Sequence, residues 1–151
     1  MPMNLLSFTV GDELFAVDVN LIEKVNRSMV VTPVPAASDA VAGITNLKGK
    51  FVTVLNIIAL LERTADRNKV YSGEGITVVV FKSFSDGNNQ MGFAIDAPGE
   101  LIKIPRDKIL PVPLEADDLA KRHFSGVTET GNRLYRIIDI NSIIERFGKN
   151  E

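Results

Sequence analysis

VAGITNLKGKFVTVLNI, residues 41–57, sets two β-rich segments on either side of a short polar break. It is a mostly apolar run broken by Asn46-Leu47-Lys48-Gly49. Gly49 takes a positive φ at little cost, and the flanking GIT and FVTVL are rich in β-branched residues. Two strands joined by a tight turn are expected here. Asn46 is expected to bond the backbone of that turn. Leu47 and Lys48 exceed what a turn needs. An apolar side chain and a long cation at a turn tip point outward, toward a contact surface. Lys48 would lay its methylene stem on apolar surface while its ammonium reaches a partner carboxylate.

The same stretch recurs. Residues 42–63, AGITNLKGKFVTVLNIIALLER, align without a gap on residues 125–146, SGVTETGNRLYRIIDINSIIER, at a separation of 83. Gly43 meets Gly126, Thr45 meets Thr128, Asn56 meets Asp139 and Glu62-Arg63 meets Glu145-Arg146. Apolar positions correspond as well, Phe51 with Leu134 and Val54 with Ile137 among them. Upstream the separation is 78. FAVD at 15–18 answers FAID at 93–96, and PVP at 33–35 answers PVP at 111–113. The change requires about five extra residues in the second copy, within LEADDLAKRHF at 114–124. Two separations recurring in one order argue for two copies of one unit, too few for a solenoid and suited to a pseudo-symmetric pair of lobes.

Each copy reads mainly as strand. LLSFTV, LFAVDV, KFVTVL, GITVVVF, QMGFAID and NRLYRII are short, β-branched and aromatic, with turn residues between them. Gly11-Asp12 and Ser85–Asn89 are hairpin loops by composition. Strands at this spacing predict small barrels. One helix closes each copy, with Asn56 and Asp139 as N-caps. Ile57, Leu60 and Leu61, and Ile140, Ile143 and Ile144, then share one helix face. Asp18 and Asp96 end matching strands and turn the chain, rather than forming a carboxylate pair. Residues 63–75, RTADRNKVYSGEG, form a polar loop between the copies.

Composition narrows the function. The chain has 151 residues, 45% of them hydrophobic and 24% charged, with a net charge of −2. That balance gives no electrostatic case for nucleic acid or an anionic membrane. Without Cys there is no disulfide, thiol nucleophile or thiolate metal site. The single His123, in AKRHFSG, reads as a loop residue near a strand and is the only possible member of a His-dependent triad. No metal site, cofactor loop or catalytic motif is expected. The start, Met1-Pro2-Met3-Asn4, lacks a signal peptide's features, and no apolar run is long enough to cross a bilayer, so a cytoplasmic protein is expected.

VAGITNLKGKFVTVLNI resembles the signature of CheW-type coupling proteins of bacterial chemotaxis, Val-x-Gly-x-x-Asn-Leu-Arg-Gly followed by an apolar strand and a helix. The resemblance extends along nearly the whole chain. FTVGDELFAVDVNLIEKV, VTPVP, MGFAIDAPGELIKI and SGVTETGNRLYRIIDINSII are similar to its other segments in the same order. Lys48 stands where the family usually carries Arg, which keeps the charge and loses the planar fork. Thr53 replaces a frequent Pro, and Asn56 an Asp.

The resemblance implies one CheW-like domain over 1–151, a mainly β fold of two five-stranded SH3-like barrels with short helices. The approximate lobes are 7–76, and 1–6 plus 77–148, with Met3 to Leu6 joining the second. It implies a stand-alone, non-enzymatic scaffold at receptor arrays on the inner face of the membrane. Its partners would be the regulatory domain of the CheA histidine kinase and the helical cytoplasmic tip of a chemoreceptor, the latter in a groove between barrels. Ile22, Val25, Gly43, Leu47, Lys48, Gly49 and Leu101 are the implied receptor contacts. Ile76, Thr77 and Val78 are the implied kinase contacts, on a barrel edge. The rivals are a small-molecule-sensing barrel domain and an enzyme built from Asp, Glu, Lys and Ser.

Overall fold

The computed structural model describes residues 2–35, 37–60, 70–82, 90–112 and 123–147. The expected loop at 85–89, the insertion at 114–122 and most of the loop at 63–75 lie outside them. Ten strands form two five-stranded sheets. In chain order they are β1 (Met3–Val10), β2 (Glu13–Asp18), β3 (Ile22–Val31), β4 (Val41–Leu47), β5 (Lys50–Asn56), β6 (Gly73–Phe81), β7 (Gln90–Ile95), β8 (Ala97–Ile104), β9 (Phe124–Thr130) and β10 (Arg133–Ile138). Helix α1 (Ile57–Leu60) follows β5, and helix α2 (Ile140–Phe147) follows β10.

One sheet runs β8-β1-β2-β10-β9 and the other β3-β6-β7-β5-β4. The chain divides into two compact units, residues 1–21 with 98–151, and residues 22–97. In the second unit the sheet closes on itself. Thr32, just past β3, exchanges two backbone hydrogen bonds with Ile44 on β4, at 2.8 and 2.9 Å. In the first unit Leu110 and Val127 do the same, at 2.8 and 2.9 Å. Each bridge ties the segment that follows one outer strand of the sheet, β3 or β8, to the other outer strand, β4 or β9, which makes a small barrel and leaves fewer unpaired edge groups.

Both separations read from the sequence reappear in these hydrogen bonds. Thr32 and Leu110 differ by 78, and Ile44 and Val127 by 83. Thr45 Oγ1 donates to the Val30 carbonyl at 2.7 Å, and Thr128 Oγ1 to that of Lys108 at 3.0 Å. The Asn56 N–H donates to Ala40, and the Asp139 N–H to His123, both at 2.8 Å. Asn56 Oδ1 accepts the Ala59 N–H and Asp139 Oδ1 that of Ser142, both at 3.2 Å, so both residues cap their helices. The duplication thus reaches individual backbone and side-chain bonds.

The unit boundaries differ from the expected lobes, 7–76 and 1–6 plus 77–148. The whole β1–β2 hairpin, Met3 to Leu6 included, lies in one sheet with β8, β9 and β10. Similarity between segments says that they adopt the same local structure. It does not say which copy a strand pairs with. The deciding contacts are two parallel pairings, β2 with β10 through Phe15–Arg136 and β5 with β7 through Leu55–Phe93. Each unit therefore combines strands from both copies.

Each unit has its own interior. In the first, Leu5, Ala16, Ile104, Tyr135 and Ile137 form a buried cluster, and the rings of Phe8 and Phe15 stack at 6.0 Å. In the second, Phe81 and Phe93 meet edge to face at 4.6 Å, a geometry worth about 0.5–1.5 kcal/mol beyond burial. Gly92 lies where a Cβ would come within 2.5 Å of the Val79 carbonyl, so β6 and β7 approach closely only because that residue is glycine.

Candidate functional site: the β4–β5 hairpin and its neighbours

The hairpin expected from residues 41–57 is present, with a two-residue loop. Leu47 pairs with Lys50, and Lys48 and Gly49 have φ of 52° and 87°. Two successive positive φ values make the type I′ turn whose twist matches its strands. Asn46 serves the turn as expected, its Oδ1 accepting the Gly49 N–H at 2.8 Å. In the second copy the same turn is Gly131-Asn132, with φ of 59° and 64°.

Leu47 is a correction. It was expected to face outward and is only 8% exposed. Gly43, Thr45 and Leu47 are the buried positions of β4, and the two-residue period sends the side chain of Leu47 to the same inward face. Lys48 and Gly49 are exposed, and no described residue pairs with the Lys48 ammonium.

Gly43 is structural. A Cβ there would overlap the Thr32 carbonyl, at the bridge that closes the barrel. Ile22 is 9% exposed and sits opposite Phe81 in the β3–β6 pairing, so it belongs to the interior. Val25 is half-buried on β3. Leu101, on β8 of the other unit, is 71% exposed. Gly43, Leu47, Lys48 and Gly49 are thus brought together on one hairpin, with Ile22 and Val25 on β3 of the same unit.

Ile76, Thr77 and Val78 lie on β6, which is not an edge. β6 has β3 on one side and β7 on the other, and Val78 is fully buried. The apolar run GITVVVF fits an interior strand, which leaves no free ladder there for a partner strand. Ile76 and Thr77 keep half-buried side chains.

Phe51 was missed as a candidate. It is 62% exposed on β5, opposite Asn46, and its counterpart Leu134 is exposed as well. The alternation was available in the sequence. With Val52 and Val54 inward, Phe51 and Thr53 face out.

His123 is fully buried rather than in an open loop. Its Nδ1 lies 3.0 Å from Ser142 Oγ, and its Nε2 is 3.0 Å from Arg146 Nη1. A guanidinium only donates, so Nε2 accepts and Nδ1 carries the proton toward Ser142. The hydroxyl of Ser142 in turn donates to the Asp139 carbonyl at 2.9 Å. Ser, His and Asp here anchor helix α2. Asp18 Oδ1 accepts the Asn20 N–H at 2.9 Å, and Asp96 accepts the Tyr71 hydroxyl at 3.0 Å, as chain-turning and packing groups do. Among the described residues no three His, Cys, Asp or Glu cluster as metal ligands, and no helix is long and apolar enough to cross a membrane.

The model of the CheW-like domain matches residues 4–147. The chain belongs to the CheW-like family. It is 29% identical over 146 residues to the chemotaxis protein CheW of Thermotoga maritima, an alignment covering 97% of this chain and 90% of that protein. It is 28% identical over 130 residues to protein FrzA of Myxococcus xanthus, covering 83% of this chain and 74% of that protein. The crystal structure of the scaffolding protein TtCheW from Thermoanaerobacter tengcongensis superposes with a TM-score of 0.77 at 21% identity, covering 100% of this chain and 98% of that one. That likeness supports the two-sheet, CheW-like fold. Family membership sets this chain among CheW-like domains, and the curated relatives it resembles include chemotaxis proteins named CheW.

Proposed function

We propose that this protein couples chemoreceptors to the CheA histidine kinase without catalysing a reaction, working in the cytoplasm at receptor arrays on the inner face of the membrane. The observation that carries the reading is Lys48. An L-residue held at positive φ costs about 1–2 kcal/mol relative to glycine. The matching position of the second copy carries Gly131 in the same conformation and avoids that cost. The second copy's own non-glycine residue at positive φ is Asn132, whose short amide tolerates that conformation; a long cation held there on an exposed turn supports a contact role for Lys48. Its ammonium is presented on a two-residue turn, and the exposed ring of Phe51 lies on the following strand of the same hairpin. A cation on a stem together with an aromatic ring suits an amphipathic helix that carries a carboxylate.

Reconstitution of kinase activity tests this. Receptor fragment, kinase and this protein are mixed, and phosphotransfer is compared for wild type, Lys48→Gly and Lys48→Glu. Lys48→Gly relieves the backbone and should match or exceed wild type in melting temperature, yet lose coupling. Lys48→Glu should change stability by no more than about 0.5 kcal/mol, as exposed substitutions usually do, and couple least of the three. Full coupling by both variants refutes the role.

A further inference from the structure

His123 is fully buried and has no part in the coupling proposed above. Its ring spans one face of helix α2. Ser142 and Arg146 are one helical turn apart on that face, and each meets one ring nitrogen at 3.0 Å. The ring thus holds the first turn of α2 through Ser142 and the last turn through Arg146. The backbone adds a third tie, since the His123 carbonyl accepts the Asp139 N–H at 2.8 Å just ahead of the helix. The first copy closes the same corner without an imidazole. There the Asn56 N–H donates to the Ala40 carbonyl at 2.8 Å, and Ala40 and Ala59 stand where the second copy has His123 and Ser142. The corner itself therefore does not demand a titratable ring. The second copy has one, removed from water and tied to a helix of eight residues. A helix that short gains little from its own hydrogen bonds, so its anchors decide whether it stays docked.

We propose that His123 is a pH-sensitive latch on helix α2, closed while the ring is neutral and opened when the ring is protonated. Nε2 accepts the Arg146 N–H only while it carries no proton of its own. A proton arriving there turns the acceptor into a donor and sets an imidazolium against a guanidinium. The bond to Arg146 is lost, and that exposed side chain swings into water. The bond from Nδ1 to Ser142 survives, because Nδ1 carries a proton in both states. Opening therefore begins at the last turn of α2, while Ile140 and Ile143 stay buried under the first. The other ionisable groups of the helix and its cap are Asp139, whose carboxylate accepts the Ser142 N–H at 3.2 Å, and Glu145, which is exposed. On β9 and β10, Glu129 and Arg133 lie at the turn end of the hairpin, Arg136 pairs with Glu13 at 3.8 Å, and Tyr135 belongs to the buried cluster. In an unfolded chain a histidine takes up its proton near pH ~6.5. The helix end is held fully above that pH, and the hold weakens as pH falls through the protonation of the ring.

The test uses the full chain. His123 is its only histidine, so imidazole nitrogen NMR follows the ring without ambiguity while amide hydrogen exchange follows α2. Both are recorded from about pH 8 down to about pH 5. Protection of the Ile144 to Phe147 amides, corrected for the intrinsic pH dependence of exchange, should fall by about tenfold or more with the same midpoint as the ring. The strand amides of the first unit should keep theirs. Arg146→Met changes an exposed residue and should leave the fold intact. Its ring should take up a proton at higher pH than the wild type's, and its last helical turn should be less protected from the outset. In His123→Ala, which places the first copy's residue at this corner, α2 protection should not change across the range. Flat α2 protection through the protonation of the ring, loss of protection only together with the strands, or an unshifted ring midpoint in Arg146→Met overturns the latch. An unchanged pH response in His123→Ala also overturns it and assigns the response to Asp139 or Glu145. If His123→Ala does not fold, the comparison of Arg146→Met with wild type decides alone.

Discussion

Replacing Gly43 with alanine perturbs the point at which the second unit closes. The added Cβ would overlap the Thr32 carbonyl and come within 2.9 Å of Val31 Cγ1. The first of these is backbone, so no side-chain rotation relieves it. The Thr32–Ile44 bridge must open or shift, which puts at risk its two hydrogen bonds of 2.8 and 2.9 Å. Each is worth about 1 kcal/mol net. Crowding a packed interior adds roughly 1–3 kcal/mol, for a total near 3–5 kcal/mol. Gly126→Ala is the matched experiment, with a Cβ 2.7 Å from the Leu110 carbonyl at the equivalent bridge. It should cost nearly as much, about 2–4 kcal/mol by the same reasoning. Gly49→Ala is the control. It has open space around it and a φ of 87°, so only the backbone preference is lost, about 1 kcal/mol. Urea denaturation of the three variants measures all of this. If Gly43→Ala and Gly126→Ala cost no more than Gly49→Ala, the bridges do not depend on glycine, and the structural account of the duplication is wrong.

Leu47→Asp and Ile22→Asp should abolish cooperative unfolding rather than merely weaken binding, since an unpaired carboxylate in an apolar interior costs several kcal/mol; near-ultraviolet circular dichroism and a melting curve decide it. Asn56→Ala and Asp139→Ala should each lose about 1 kcal/mol as helix caps, and the pair should add within about 0.5 kcal/mol because they cap separate helices; chemical denaturation of the double variant checks both. Asn46→Ala should cost about 1 kcal/mol through the lost bond to the Gly49 N–H without altering the exposed face of Lys48, so its melting temperature should fall while coupling persists.

Much of this protein was legible because its duplication is written in matched residues at the closing bridges and the helix caps. Gly43 with Gly126, Thr45 with Thr128 and Asn56 with Asp139 are positions where a specific backbone bond demands a specific residue, so they persist where the apolar positions drift. The assignment of strands to units was not legible. The β2–β10 and β5–β7 pairings are parallel and distant in sequence, and every strand concerned is apolar enough to pair with either copy. At the site, Asn46 and Gly49 were readable from turn chemistry. Leu47 was misread because its place beside a turn was given more weight than the two-residue period, which sends it inward with Thr45 and Gly43. That period also exposes Phe51, a ring whose place in an apolar strand reads as core when the alternation with Val52 and Val54 is not followed. The edge assigned to Ile76–Val78 failed for a related reason. A run of five β-branched residues, Ile76 to Val80, is the mark of a strand flanked on both sides.

The proposed bridging of a receptor and a kinase through the exposed hairpin is open to affinity purification of the tagged protein from its native cells, wild type and Lys48→Glu in parallel, with mass spectrometry of what is retained. The account predicts that wild type recovers a CheA-type histidine kinase together with chemoreceptors, and that Lys48→Glu loses most of the receptor or kinase signal while remaining folded and equally abundant. Recovery of neither partner by the wild type, or equal recovery of both by the variant, would contradict it.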